Sequence, residues 1–404
     1  MQLIKTLRWF GNDDTVSLQD IAQAGATGVV TALHHIPNGA VWSVEEINQT
    51  KSRIEAAGLT WEVVESLPVH EGIKIAAPNR DQLIENYKTS IKNLGQCGVR
   101  RICYNFMPVI DWVRTDLHYK LPNGAEAMFF KLALFIAFDL FILQRPNAGE
   151  DYTAEQIREA RQLYESMSEE EAEQLAHNII IVTQSFIDGT VDPNERNPKV
   201  VFLKLLQQYD QVDKVQLREH FAYFLNEVIP VAEKYGVRLA VHPDDPPFPM
   251  LGLPRIVSCE EDFEWLAQVC PSLNNGITFC SGSLGARPDN NLTGLFKKFA
   301  NRIHFLHLRS TRLLAGGDFY ETEHLDPAIP MPELMNAIIE EQASRQQHGR
   351  EDIDIPMRPD HGHKLLDDFT RDTNPGYPLI GRMKGMAELY GLEQGLRYCR
   401  TAPS

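Results

Sequence analysis

The sequence is short of everything a secreted, membrane-spanning or nucleic-acid-binding protein needs. Its six cysteines, Cys97, Cys103, Cys259, Cys270, Cys280 and Cys399, show no paired spacing. That excludes a disulfide framework and a CxxC-type zinc motif, and it reads as reduced thiols. Positive charge is in the minority, with 39 Lys and Arg against 55 Asp and Glu and a formal net charge of −16. A surface of that sign has nothing to exchange for phosphate counterions, so neither nucleic acid nor an anionic membrane is expected as a partner. A local arginine cluster can still hold a small anion. The opening MQLIKTLRWF has no long apolar stretch and no small-residue cleavage site, so no signal peptide is read and a cytoplasmic location is expected. Internal repeats and low-complexity segments are missing too. The one long apolar run, Ala127 to Leu143, is interrupted by Lys131 and Asp139. Each would cost about 2.5–3.5 kcal/mol near a bilayer centre, so the run reads as a buried or interface helix.

What is present is alternation. Short apolar runs bounded by turn residues predict strands at Ile4–Arg8, Gly28–Leu33, Thr60–Glu65, Arg101–Asn105, Val237–His242, Gly276–Cys280, Ile303–Leu308 and Ile353–Arg358. Helical spacing lies between most of them. Val44–Ala57 starts after Ser43 and stops at Gly58, Gln82–Gln96 stops before Gly98, Glu219–Tyr235 stops at Gly236, and Pro332–His348 precedes the last strand. Strand–helix alternation implies parallel units, and the number eight favours closure into a (β/α)8 TIM barrel as one domain over residues 1–404. The fourth and fifth strands are far apart in sequence. An all-helical insertion of about residues 120–215 is expected in that crossover, because neither a strand pattern nor a flexible linker is visible there.

Polar residues collect where the strands should end: Arg8-Trp9, His34-His35, Glu65 with His70 beyond, Tyr104-Asn105, His242, Cys280, His307, and Asp360-His361. The C-terminal rim is where such barrels place active sites. His242, Cys280, His307 and Asp360 follow four successive strands, and imidazole, thiolate and carboxylate all ligate divalent transition metals. Taken singly, a strand-end histidine is an ordinary hydrogen-bonded residue and a lone cysteine a small hydrophobe; the four together point to one ion. Arg8, Arg114, Arg309, Arg312 and Arg358 lie near strand ends and suit a carboxylate, which guanidinium matches bidentately. Arg8, Trp9, His35, Asn105, Arg309 and Arg312 are taken as substrate contacts. His361 and Tyr377 are candidates for proton transfer.

At these residues the chain resembles the mannonate dehydratase family. LRWFG, VVTALHHIPNG, VVESLPVHEGIK, CYNFMPVIDWVRT, VHPDDPP, TFCSGSLG and MRPDHGH carry the resemblance, in order and over essentially the whole chain. It implies a xylose isomerase-like barrel that uses Mn²⁺ or Fe²⁺ to remove water from D-mannonate, giving 2-dehydro-3-deoxy-D-gluconate in hexuronate (glucuronate) catabolism. Carried over residue by residue, the metal ligands fall on His242, Cys280, His307 and Asp360, and the acid and base on His361 and Tyr377. The base role is assigned to Tyr377 and the acid role to His361, an order the sequence does not fix. Ligand softness alone would also admit Zn²⁺, so Mn²⁺ or Fe²⁺ rests on the resemblance. A homo-oligomer, a dimer, is expected. The alternatives are a metal-dependent sugar isomerase or epimerase on the same barrel, disfavoured by the thiolate and the single carboxylate, and a non-catalytic sugar-acid binding protein, which would need no metal.

Overall fold

Segments such as GVVT, NGITFC and IHFLH are buried at every residue, as parallel strands covered on both faces must be. The computed structural model describes residues 2–184 and 191–401. Its strands, in chain order, begin with β1 (Ile4–Arg8), β2 (Gly28–Thr31), β3 (Thr60–Glu65) and β4 (Arg101–Tyr104). A hairpin of β5 (Asp116–Lys120) and β6 (Glu126–Phe130) follows, then β7 (Arg238–Val241), β8 (Asn275–Cys280) and β9 (Ile303–His307). The short β10 (Thr311–Leu313) and β11 (Phe319–Glu321) precede β12 (Pro356–Arg358). Eight of these close into a parallel barrel in the order β1-β12-β9-β8-β7-β4-β3-β2. Closure runs through Ile4 opposite Pro356 and Lys5 opposite Met357. These are the eight strands expected, with ends shifted by a few residues.

The helices begin where side chains can satisfy their open N–H groups. Ser43 accepts from the Glu46 N–H and starts Val44–Ala56, and Gly58 at φ +77° lets the chain turn back after it. The helix expected from Glu219 starts earlier, at Lys214, because Asp213 and Gln216 form a reciprocal capping box. Leu, Ile, Val and Phe side chains on these helices pack against the outside of the barrel in one continuous core. Val30, Val63, Cys103 and Phe305 form a separate small cluster from β2, β3, β4 and β9.

The insertion differs from the all-helical expectation. It opens with the β5–β6 hairpin, which joins β10 and β11 in a four-stranded sheet of order β10-β11-β6-β5. Helices Ala154–Ser166, Glu169–His177 and Pro198–Gln207 follow; residues 185–190 of the expected insertion lie outside the described residues. The run Ala127 to Leu143 is not one helix. It is a strand to Phe130, then a helix over Leu132–Ala137 and a π-helical turn over Phe138–Ile142. Pairing decides this: Phe130 lies opposite Phe319 on β11, their rings stacked at 5.1 Å, and such contacts override local propensity. Asp139 is tolerated in apolar surroundings because Arg145 contacts it at 2.9 and 2.7 Å and the Tyr152 hydroxyl donates to it at 2.7 Å. Among the described residues no helix is long and apolar enough to cross a membrane.

Candidate active site at the C-terminal mouth of the barrel

Adjacent parallel strands that end at the same level aim their last residues at one another. Thus β7, β8 and β9 bring His242, Cys280 and His307 together, with Cys280 in register with His307. One ligating atom from each lies within 4.8 Å of the others, and among the described residues they are the one such group. His242 Nε2 is 3.1 Å from His307 Nδ1. The other nitrogen of His242, Nδ1, faces the Pro243 carbonyl at 2.7 Å. Only an N–H satisfies that contact, so Nε2 presents its lone pair to the centre of the group. Cys280 Sγ accepts from the Ser283 N–H at 3.4 Å and its hydroxyl at 3.1 Å. Asp360 flanks two of the three, at 3.6 Å from Cys280 Sγ and 3.8 Å from His307 Nδ1. Its backbone is left-handed, φ +65°, which Asp tolerates better than most residues. Two imidazoles, a thiol and a carboxylate gathered in one place fit a divalent transition metal.

Beside this group lies a cleft lined by Arg8, Asn105, His361 and Tyr377 among others. Two of the guanidiniums that line it, Arg358 and Arg8, are used differently. Arg358 is bidentate to Glu65, at 3.0 and 2.8 Å, and also bonds Asp360. Arg8 stands 3.7 Å from Glu65 through Nη1, while its Nε and Nη2 are buried with no hydrogen-bond partner. Two buried donors without acceptors are costly, and a carboxylate fits them bidentately. Burial works against ionisation of Glu65 and Asp360, yet Arg358 above all holds both carboxyls well below the usual range.

His361 and Tyr377 meet edge to face, with ring centres 4.9 Å apart. His361 Nδ1 is 3.0 Å from both oxygens of Glu321 and 2.7 Å from Arg309 Nη1. Glu321 stands at the end of β11 and so comes from the unexpected sheet. Burial opposes its ionisation, but Arg309 and His361 outweigh burial and hold its carboxyl down at about 2. Arg309 also contacts Asp245 at 2.8 Å and Asp360 at 3.3 Å, and Arg114 is bidentate to Asp245 at 2.8 and 3.1 Å. Against burial, Arg114 and Arg309 hold Asp245 far below the carboxylate range. Burial raises the Tyr377 phenol above its ordinary value although Arg358 and Arg8 pull it down. Asp111 also lines the cleft; burial pushes its carboxyl up to about 6.

Not every expected residue joins this cleft. Trp9 is buried in the core and, with His35, borders a separate groove on the outer side of the rim. His35 is turned outward to Glu46, 2.9 Å away. Arg312 is half-exposed and bidentate to Asp326 at 2.7 and 2.8 Å. These three do not reach the cleft, because each has a local partner or packing site that holds it elsewhere. Arg309 lines it, but its guanidinium is committed to carboxylates of the protein. Sequence reading missed Asp111, Asp245 and Glu321. Asp245 lies within VHPDDPP and could have been found there; Glu321 gave no local signal.

The D-mannonate dehydratase (UxuA) family matches residues 1–402. The mannonate dehydratase of Marinomonas sp. (strain MWYL1) is 48% identical over 393 residues, covering 97% of this chain and 98% of its own. That of Saccharophagus degradans is 46% identical, covering 97% of each. The crystal structure of mannonate dehydratase from Streptococcus suis serotype 2 superposes with a TM-score of 0.76 at 32% identity, covering all of this chain and 96% of that one.

Proposed function

The chain belongs to the D-mannonate dehydratase family, and we propose that it removes water from D-mannonate to give 2-dehydro-3-deoxy-D-gluconate, in the cytoplasm and within glucuronate catabolism. The names of its relatives support dehydration over the isomerase or epimerase alternative. The observation that carries the reading is the pairing, in one cleft, of Arg8, two of whose guanidinium donors are open, with the His361–Glu321 couple. The first suits the carboxylate of a sugar acid and the second can move a proton beside it.

The overall change breaks the C2–H and C3–O bonds and forms a C2–C3 double bond. The enol then tautomerises to the 2-keto acid, and the C3 hydroxyl leaves as water. Arg8 binds and orients the carboxylate, and Asn105 lies within reach of the hydroxyls along the same wall. His242, Cys280, His307 and Asp360 would hold a divalent ion, Mn²⁺ or Fe²⁺. Bound there, the ion supplies a Lewis acid that stabilises negative charge on the substrate's oxygens.

For the proton transfers we reverse the order assigned from the sequence. His361 accepts the C2 proton at Nε2: its Nδ1 lies 3.0 Å from both oxygens of Glu321, and that carboxylate stabilises the imidazolium that results. Tyr377 donates to the leaving hydroxyl, since burial keeps its phenol protonated. Arg309 is a positioning residue that holds Glu321, Asp245 and Asp360 in place. Trp9, His35 and Arg312 drop out of the substrate set. The enzyme is proposed to act as a homodimer.

The test is direct. Purified protein supplied with Mn²⁺ should form a 2-keto-3-deoxy acid from D-mannonate; an isomerised or epimerised sugar acid instead would overturn the reading. In deuterated water His361→Asn should lose both turnover and exchange at C2. Tyr377→Phe should keep exchange while losing elimination, each variant falling about 10²–10⁴-fold in kcat. The opposite pattern would restore the order in which Tyr377 is the base.

A further inference from the structure

A second chamber adjoins the cleft. It shares Ser66, Asn105 and Asp111 with it and runs on to Asn38, Lys74 and Gln184. The shared wall is built firmly: Asn105 Nδ2 donates to Asp111 Oδ1 at 2.7 Å, and the Asp111 N–H donates to Gln184 Oε1 at 2.9 Å. Gln184 is itself tied down, its amide donating to the Trp112 carbonyl at 2.9 Å. Lys74 is buried against Glu71 at 2.5 Å and the Met107 carbonyl at 2.8 Å, which leaves one of its three N–H groups to give.

One buried acceptor in this chamber has no donor. Asn38 Oδ1 is buried without a hydrogen-bond partner. Buried acceptors without donors are costly unless a ligand supplies them. A hydroxyl group entering here can donate to Asn38 Oδ1 and accept from Lys74. Arg8 and the proton-transfer pair are in the first chamber, so the carboxylate end of a sugar acid occupies that one. The reacting carbons C2 and C3 then sit beside His361, and what remains of the molecule is a polyol.

We propose that the second chamber receives the C4–C6 hydroxyl tail of a six-carbon sugar acid, and that Asn38 is a specificity-determining residue that selects for it. This rests on the dehydratase reading of the first chamber. Asn38 lies on the loop after β2, in the IPNG stretch, and takes no part in the metal group or in proton transfer.

The experiment compares two substrates on the full-length, Mn²⁺-supplied protein: D-mannonate, and the four-carbon aldonic acid with the same configuration at C2 and C3, which has no tail beyond C4. Asn38→Ala should lower kcat/KM for D-mannonate about 3- to 10-fold, the value of one neutral hydrogen bond, and leave the four-carbon acid unchanged. Asn38→Leu, which also fills space, should lower it further for D-mannonate alone. Equal losses on both acids, or none on either, overturn the subsite. Calorimetric binding of both acids to the same proteins separates this from the reading beneath it. If the wild-type protein turns over neither acid but binds D-mannonate more tightly than Asn38→Ala does, the subsite stands and the dehydratase reading falls. If it binds neither acid, both fall.

Discussion

Arg8 and Arg358 come from neighbouring strand ends, yet their fates differ because of one carboxylate. Glu65 is taken bidentately by Arg358, so little of it is left for Arg8, and two Arg8 donors stay buried and open. An acid in the cleft completes them. Arg8→Met should therefore raise KM for D-mannonate about 10- to 100-fold, from loss of a charge-assisted bond of about 1.5–3 kcal/mol, with a much smaller change in kcat. An unchanged KM would mean that the carboxylate lies elsewhere. The gathering of His242, Cys280, His307, Asp360 and His361 at one mouth of the barrel was legible in the sequence because strand ends in a barrel converge. What was not legible is which donors are already satisfied. Arg309 and Arg312 looked as available as Arg8, and only their partners, Asp245 with Glu321 and Asp326, show that they are taken.

Among the elements, the eight barrel strands were readable because each is a continuous apolar run ended by a turn. The sheet of β5, β6, β10 and β11 was not. β10 and β11 are three residues each, too short for a period, and their partners lie far away in sequence. The run from Ala127 fits helix and strand equally well until Phe319 is placed against Phe130. This sheet has a task in the site: β11 delivers Glu321 to His361. Glu321→Gln keeps the shape and an acceptor for Nδ1–H but removes the charge that stabilises the imidazolium. It should lower kcat about 10- to 100-fold, as loss of an outer partner commonly does, with KM and bound metal unchanged. A fall in metal content of the same size would make Glu321 a structural support of the metal group and not a partner of the base.

At the scale of the whole molecule, buried histidines tie stability to pH. His304 on β9 is fully buried, its ring against Gly276, where a Cβ would come within 2.2 Å of it. Burial first, then Arg345, push its pKa down to about 3, and the Leu273 carbonyl and Asp352 do not restore it. His34 is likewise lowered to about 3, by burial and then Arg8. The sign follows from linkage. The unfolded chain takes up these protons near pH 6.5 and the folded chain refuses them until about pH 3. Their contribution is thus complete above pH 6.5 and is lost as pH falls from 6.5 toward 3, each group at about 1.4 kcal/mol per pH unit. Asp352, which Arg350 and Arg345 hold down at about 2 against burial, continues the loss from pH 3.8 to 2. Asp111, raised by burial to about 6, opposes it by gaining as pH falls below 6, so the net slope of the wild-type protein mixes signs and a variant is needed to isolate one group. His304→Gln keeps a donor toward the Leu273 carbonyl and cannot titrate. It should be less stable than wild type at pH 7, and the gap in urea unfolding free energy should narrow by about 1 kcal/mol between pH 7 and 5.5. Parallel curves across that range would mean that His304 already carries a proton in the fold, with the Asp352 carboxylate as its partner.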